Sequence, residues 1–228
     1  MNDTKVRQYV LRALFYFLGL ICVTLGMALY AKTGLGVSCI IALPFSFSNA
    51  TGISFSRLVF VAYASFVVLQ MILKGKDRQL KDALQFFVSF AISLFLGWFS
   101  DRIDLQPEAM WQRLLVLMAG IVLIGLGMSL MMNMHIIVNP ADGLVQTMSA
   151  VFHKNDGFCK NIEDICCVTI AVAVDLIAHR KIVSVGLGTL IGMICVGRVV
   201  ALCNILFIKQ LMQLAGVKKP KNNLIQEA

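Results

Sequence analysis

The apolar positions of this chain come in unbroken runs. They show neither the two-residue alternation of a half-buried strand nor the narrow stripe of a surface helix. Residues 13–31, 58–73, 83–100, 114–134 and 165–174 contain no charged side chain. A bilayer core takes about 20 apolar residues per helix, with about 17 as the lower limit. Unpaired backbone cannot cross lipid, so runs of this kind must be helical. The pattern predicts an all-α, polytopic membrane protein with about six transmembrane helices. Their expected positions are residues 10–31, 57–73, 83–100, 112–134, 161–179 and 184–208. Residues 1–228 then form a single transmembrane domain, with 209–228 as a tail.

The order of parts repeats. A shift of 101 residues sets Leu25-Gly26-Met27 on Leu126-Gly127-Met128, Leu29 on Leu130, Val37 on Val138, Leu43 on Leu144 and Ser48 on Ser149. Each half has a span, a short interrupted segment, a second span, a basic turn (Lys74-Gly75-Lys76; His179-Arg180-Lys181) and a third span. Repeat one covers about residues 10–104 and repeat two about residues 112–208. An odd number of spans per repeat makes the second half enter the membrane from the opposite face. The expected architecture is two inverted three-helix repeats, each with a short interrupted or interfacial helix. Secondary transporters use such repeats for alternating access.

Composition agrees. The chain is 59% hydrophobic and 14% charged, against about 25% charged in soluble domains. The net charge of +8 comes from basic residues that flank the spans, so it sets topology and does not point to nucleic acid. Lys5, Arg7, Arg12, Lys74, Lys76, Arg78, Lys81, Lys154, Lys160, Lys209, Lys218, Lys219 and Lys221 fall on one side; Lys32, Arg57, Arg102, Arg113, Arg180 and Lys181 fall on the other. An excess of roughly two to one predicts that both termini and the tail are cytoplasmic. The first apolar run is too long for a signal peptide and is read as a retained span. Seven cysteines, without a C-x-x-C, suggest neither a disulfide framework nor a metal site.

The chain resembles the YczE/YitT group of bacterial integral membrane proteins, and YczE more closely. The resemblance rests on Leu25-Gly26-Met27-Ala28-Leu29, Gly34-Leu35-Gly36-Val37-Ser38 and Thr51-Gly52-Ile53-Ser54 in the first half. In the second half it rests on Gly125-Leu126-Gly127, Asn139-Pro140-Ala141-Asp142 and Val185-Gly186-Leu187-Gly188-Thr189. It implies a fold rather than an activity, in a bacterial inner membrane. The chain departs from that group in two places. Ser38-Cys39-Ile40-Ile41 stands where Ser-Pro-Trp-Asp is usual, and Arg198 where a proline is common.

Asn139-Pro140-Ala141-Asp142 starts a short helix, about residues 140–153. Asparagine suits the N-cap, proline the first helical position, and an early acid opposes the positive end of the helix dipole. The helix is either an ordinary capped surface element or a discontinuous one whose N-terminus lines a substrate cavity. Arg198 interrupts the last span. An arginine at mid-span costs about 2.5–3.5 kcal/mol on insertion scales, so it should face the interior with a partner. Asp142, Glu163 and Asp164 are the possible ion-pair partners; the other reading is an arginine that snorkels to the interface. The expected substrate-binding residues are Arg198, Asn139, Pro140, Asp142 and Ser38.

Gly26, Gly127, Gly188 and Gly192 are expected to let helices approach closely, within the chain or between chains. Asp175 should lie at the interface, Lys32 should snorkel, and His135 and His153 should not pair on a metal. Met128, Met131, Met132 and Met134 suit packing. The chain lacks H-E-x-x-H, G-x-S-x-G and Walker signatures, so an enzyme is not expected. No cofactor is implied. The expected partners are the lipid bilayer, a small molecule of unknown identity, and either a second copy or another membrane protein. Two functions fit: a small-molecule transporter or permease, or a non-transporting accessory or scaffold protein acting with a partner.

Overall fold

A computed structural model describes residues 3–217; the last part of the expected tail, 218–228, lies outside the described residues. Ten α-helices follow one another: α1 (Asp3–Lys32), α2 (Cys39–Thr51), α3 (Phe55–Lys74), α4 (Leu80–Ala83), α5 (Gln85–Arg102), α6 (Met110–Met134), α7 (Pro140–Phe152), α8 (Asp156–His179), α9 (Leu187–Cys203) and α10 (Lys209–Leu214). A 3-10 turn, Gly75–Asp77, precedes α4, and a π turn, Asn204–Ile208, joins α9 to α10. No strand occurs among the described residues.

Among the described residues five helical stretches are long and apolar enough to cross a membrane: Lys5–Lys32, Phe55–Asp77, Leu80–Arg102, Met110–Met134 and Leu187–Ile208. The expected fifth span falls in α8, which is as long as these but carries Asp156, Lys160, Glu163, Asp164 and Asp175. Glu163 and Asp175 are turned inward and buried, while Ile165, Ile170 and Ile177 face outward. From Ile165 onward its exposed residues are therefore mostly apolar, with Thr169 and His179 as the polar exceptions. The last helix starts at Leu187, not 184. Residues 184–186 are instead held as extended chain against the loop after α1, through Val37 N–H to Ser184 O (2.9 Å) and Gly188 N–H to Leu35 O (2.7 Å).

The 101-residue repeat is visible in the packing. α1 and α6 run antiparallel and meet through glycines. A Cβ on Gly19 would lie 2.8 Å from the Gly127 carbonyl oxygen, and one on Gly26 would lie 2.7 Å from that of Gly120. The same shift carries Gly19 onto Gly120 and Gly26 onto Gly127, so each contact is the image of the other. The remaining contacts follow suit: α2 packs on α8 as α7 packs on α3, and α1 on α5 as α6 on α9. One pairing breaks the symmetry. α3 packs firmly on α5, whereas their images, α8 and α9, touch at most slightly.

Both short helices are wedged into the bundle. α2 buries Cys39, Ile41, Ala42, Pro44 and Ser46. α7 buries Pro140, Ala141, Gly143, Leu144, Val145 and Thr147, so it is not a surface helix. Each ends in a left-handed residue, Gly52 (φ 74°) and His153 (φ 52°), beside exposed chain. His135, with φ 50°, likewise ends α6 and lets the chain break before α7. The two histidines are the C-caps of successive helices, His135 of α6 and His153 of α7. Among the described residues no group of three or more His, Cys, Asp or Glu side chains could hold a metal ion.

Candidate functional site

The break between α6 and α7 sets Asn139 in the N-cap position, with Pro140 at the first helical position. Its backbone plays the expected part, with Gly143 N–H donating to Asn139 O at 2.8 Å. Its side chain does not. Asn139 is buried, yet its Oδ1 accepts no hydrogen bond from the helix or elsewhere among the described residues. Asp142, one turn into α7, has a buried Oδ2 in the same condition. A buried polar atom without a partner is costly, so two unpaired oxygens in the first turn of one helix call for an explanation beyond packing.

α8 supplies the opposing wall. Lys160 Nζ donates to Glu163 Oε2 at 2.9 Å and to Asp164 Oδ1 at 3.0 Å. Positions i, i+3 and i+4 share one helix face, which is why one lysine reaches both acids. Glu163 is 4% exposed, and its Oε1 also has no partner. The charges of Lys160 and Asp164 reach both Asp142 near the start of α7 and Cys39 at the start of α2. Two helix N-termini thus approach one cluster of three carboxylates and one ammonium. The positive ends of the helix dipoles offset part of the carboxylate charge.

Open space adjoins the cluster. A cleft of about 480 Å³ is lined by Asn139, Asp142, Gln146, Lys81 and the thioethers of Met128, Met131 and Met132. A second, of about 550 Å³, shares Val138 and Gln146 with it and runs past Gly143 to Lys74, Asp82 and His153. Between α3 and α5 the buried amides of Gln70 and Gln85 bond reciprocally, at 3.0 and 3.1 Å. Gly143 lies against them; a Cβ there would meet Gln70 Nε2 and Gln85 Oε1 at 2.9 Å. The Lys74–Asp82 ion pair, at 2.7 Å, forms part of the lining of this second cleft.

The structure gathers some of the expected residues and not others. Asn139, Pro140, Asp142, Glu163 and Asp164 converge. Ser38 is the repeat image of Asn139 and holds the equivalent N-cap position of α2, without a side-chain cap bond. Arg198 is not there. It is exposed on α9 and forms no ion pair among the described residues; Lys160 partners Glu163 and Asp164 instead. Mid-span position argues for an interior partner, but the direction in which a side chain points is set by how α9 is rotated, which one-dimensional pattern does not reveal. Lys160 was counted as a loop charge, although its spacing to Glu163 and Asp164 was the signal for a network. Gln70 and Gln85 carried only the weak signal of polar side chains within apolar runs.

Asp175, near the end of α8, is fully buried by protein. Its Oδ1 accepts from Ser46 Oγ at 2.6 Å, and its Oδ2 accepts from Val183 N–H (2.8 Å), Ser184 N–H (2.7 Å) and Ser184 Oγ (2.7 Å). That set ties α8, α2 and the loop before α9 together. Lys32 is half-buried. Gly188 packs on Leu35 and Gly192 on Tyr30, so both serve contacts within the chain.

The bundle of long apolar helices, with Glu163 and Asp175 turned inward, defines an all-α polytopic membrane protein. The chain belongs to the family of unknown function DUF6198, whose model matches residues 10–205. Neither a curated protein nor a solved structure matches it.

Proposed function

We propose that this chain is a small-molecule transporter or permease of a bacterial inner membrane, with both termini cytoplasmic, related to the YczE/YitT group. The observation that carries the reading is the buried start of α7, where Asn139 Oδ1 and Asp142 Oδ2, from two residues that line an open cleft, lack partners among the described residues, with the unpartnered Glu163 Oε1 on α8 outside the cleft lining. Broken helices whose N-termini meet at the interface of inverted repeats are how secondary transporters build substrate sites. The repeat-related packing of α2 on α8 and of α7 on α3 supplies two bodies that can rock against each other. A substrate for such a site offers hydrogen-bond donors or a positive charge to the free oxygens and an apolar part to Met128, Met131 and Met132.

The test is a ligand-dependent thermal-shift screen on purified protein, with small cationic and polar metabolites. The expected outcome is a reproducible stabilisation by one class of compound that Asp142→Asn and Glu163→Gln each remove. A screen without hits on a folded preparation, or hits indifferent to both substitutions, sinks the reading. The second reading is an accessory membrane protein that acts with a partner. The observation favouring it is the outward face of α9, which carries Arg198 and little packing of its own.

A further inference from the structure

Along α9 and its π continuation, Leu190, Ile194, Gly197, Arg198, Ala201 and Ile205 turn away from the bundle. Three features separate this stripe from an ordinary lipid-facing surface. Arg198 is the twelfth of the 22 residues of the span Leu187–Ile208, and it is exposed without a hydrogen bond or ion pair among the described residues. An unpaired cation at that depth is costly. A Cβ on Gly197 would meet nothing within 4 Å. With Ala201 it forms a small-x-x-x-small pair, the pattern that admits a second helix at close range. Gly188 and Gly192 are already used against Leu35 and Tyr30, so this outer pair is separate from them. In the first half α5 is held against α3, with Gly97 against Ser56, whereas α9 lacks the corresponding support from α8.

The chemistry narrows the occupant. A two-fold pairing of two copies through α9 would set Arg198 near Arg198, because such an interface opposes a patch to itself. Nor does a second copy have a carboxylate to offer at mid-span. Glu163, Asp175 and the free oxygen of Asp142 are buried, and Asp164 is bound to Lys160. A lipid phosphate lies at the ends of the span, about 16 Å along the axis from Arg198 at 1.5 Å per residue.

We propose that the outward face of α9 docks one transmembrane helix of a different membrane protein, which carries an aspartate or glutamate at mid-span facing Arg198. This holds whether or not the cleft around α7 transports anything.

The experiment uses the full chain in lipid nanodiscs and a synthetic 22-residue leucine–alanine helix. One version has aspartate at its centre, one leucine there, and one aspartate moved to its end. Association is read by energy transfer between dyes. The central-aspartate helix should bind at least tenfold tighter than the other two. Arg198→Leu should abolish that difference. Gly197→Leu, which touches nothing in the chain itself, should also weaken binding while leaving the thermal shift of any cleft ligand unchanged. Equal binding of all three helices, or binding indifferent to Arg198→Leu, overturns the proposal. So does self-association of the chain that Arg198→Leu removes, which would make the occupant a second copy. Retention of phosphatidylglycerol through Arg198 without helix binding would make it a headgroup. A failure here leaves the ligand screen on Asp142 and Glu163 standing, and the reverse is equally true.

Discussion

Asp175 and Asp142 show how one residue type takes opposite roles within one bundle. Asp175 receives four hydrogen bonds from three residues on two other segments. Asp142 has a buried oxygen that receives none. The first is a structural tie and the second a point of unspent binding capacity. Hydrogen bonds to a charged group contribute about 1.5–3 kcal/mol each, and stranding buried donors costs more than the bonds alone. Asp175→Ala should therefore lower stability by about 2–3 kcal/mol at least. Asp175→Asn, which keeps one carbonyl acceptor, should lose less. Thermal unfolding in detergent checks both, and wild-type melting of Asp175→Ala would show that the tie contributes nothing.

At the scale of elements, the molecule is organised by where helices touch. The α1–α6 seam is a backbone-to-backbone contact made possible by Gly19, Gly26, Gly120 and Gly127. Lipid tails are as apolar as leucine, so close packing rather than hydrophobic drive holds such a seam together. A leucine at Gly26 or Gly127 would collide with main-chain oxygen and nitrogen, which cannot swing aside as a side chain can. Overpacking of a well-packed core costs about 1–3 kcal/mol and more where backbone must move. Gly26→Leu and Gly127→Leu should each cut the yield of folded protein several-fold, as read by size-exclusion chromatography. Gly197→Leu should not. If all three behave alike, the seam is not where the structure puts it.

For the whole molecule, the antiparallel α1–α6 pairing and the exchange of α2–α8 with α7–α3 make the halves images of opposite polarity. The exposed residues 153–155 after α7 and the turn at 75–79 belong to one end of the bundle, because α7 runs alongside α3 past Gln70 and Lys74. The loops at 103–109 and 180–183 belong to the other, since a single helix separates each from that first end. Single cysteines placed at 76 and 154 should react with an impermeant maleimide from the cytoplasmic side only. Cysteines at 105 and 181 should react from the outside only. Any mixed pattern would break the six-helix inverted arrangement.

The sequence by itself determined the material and the repeat, while its count of about six spans stands against five helices long and apolar enough to cross a membrane among the described residues. Runs of apolar residues long enough for a bilayer must become helices, because no other structure satisfies their backbone in lipid. The 101-residue shift that matched Gly26 to Gly127 also related the two halves of the α1–α6 seam. The break at Asn139-Pro140 was legible too, since proline at the first helical position and an early acid act locally. Orientation was not legible. Whether α7 was buried, whether Arg198 faced inward, and which cation met Glu163 all depend on how helices are rotated about their axes. Rotation is settled by packing against neighbours distant in the chain. Only the tertiary structure could turn Arg198 outward, bury Asp175 under the loop before α9, and bring Asn139 and Asp142 to one cleft.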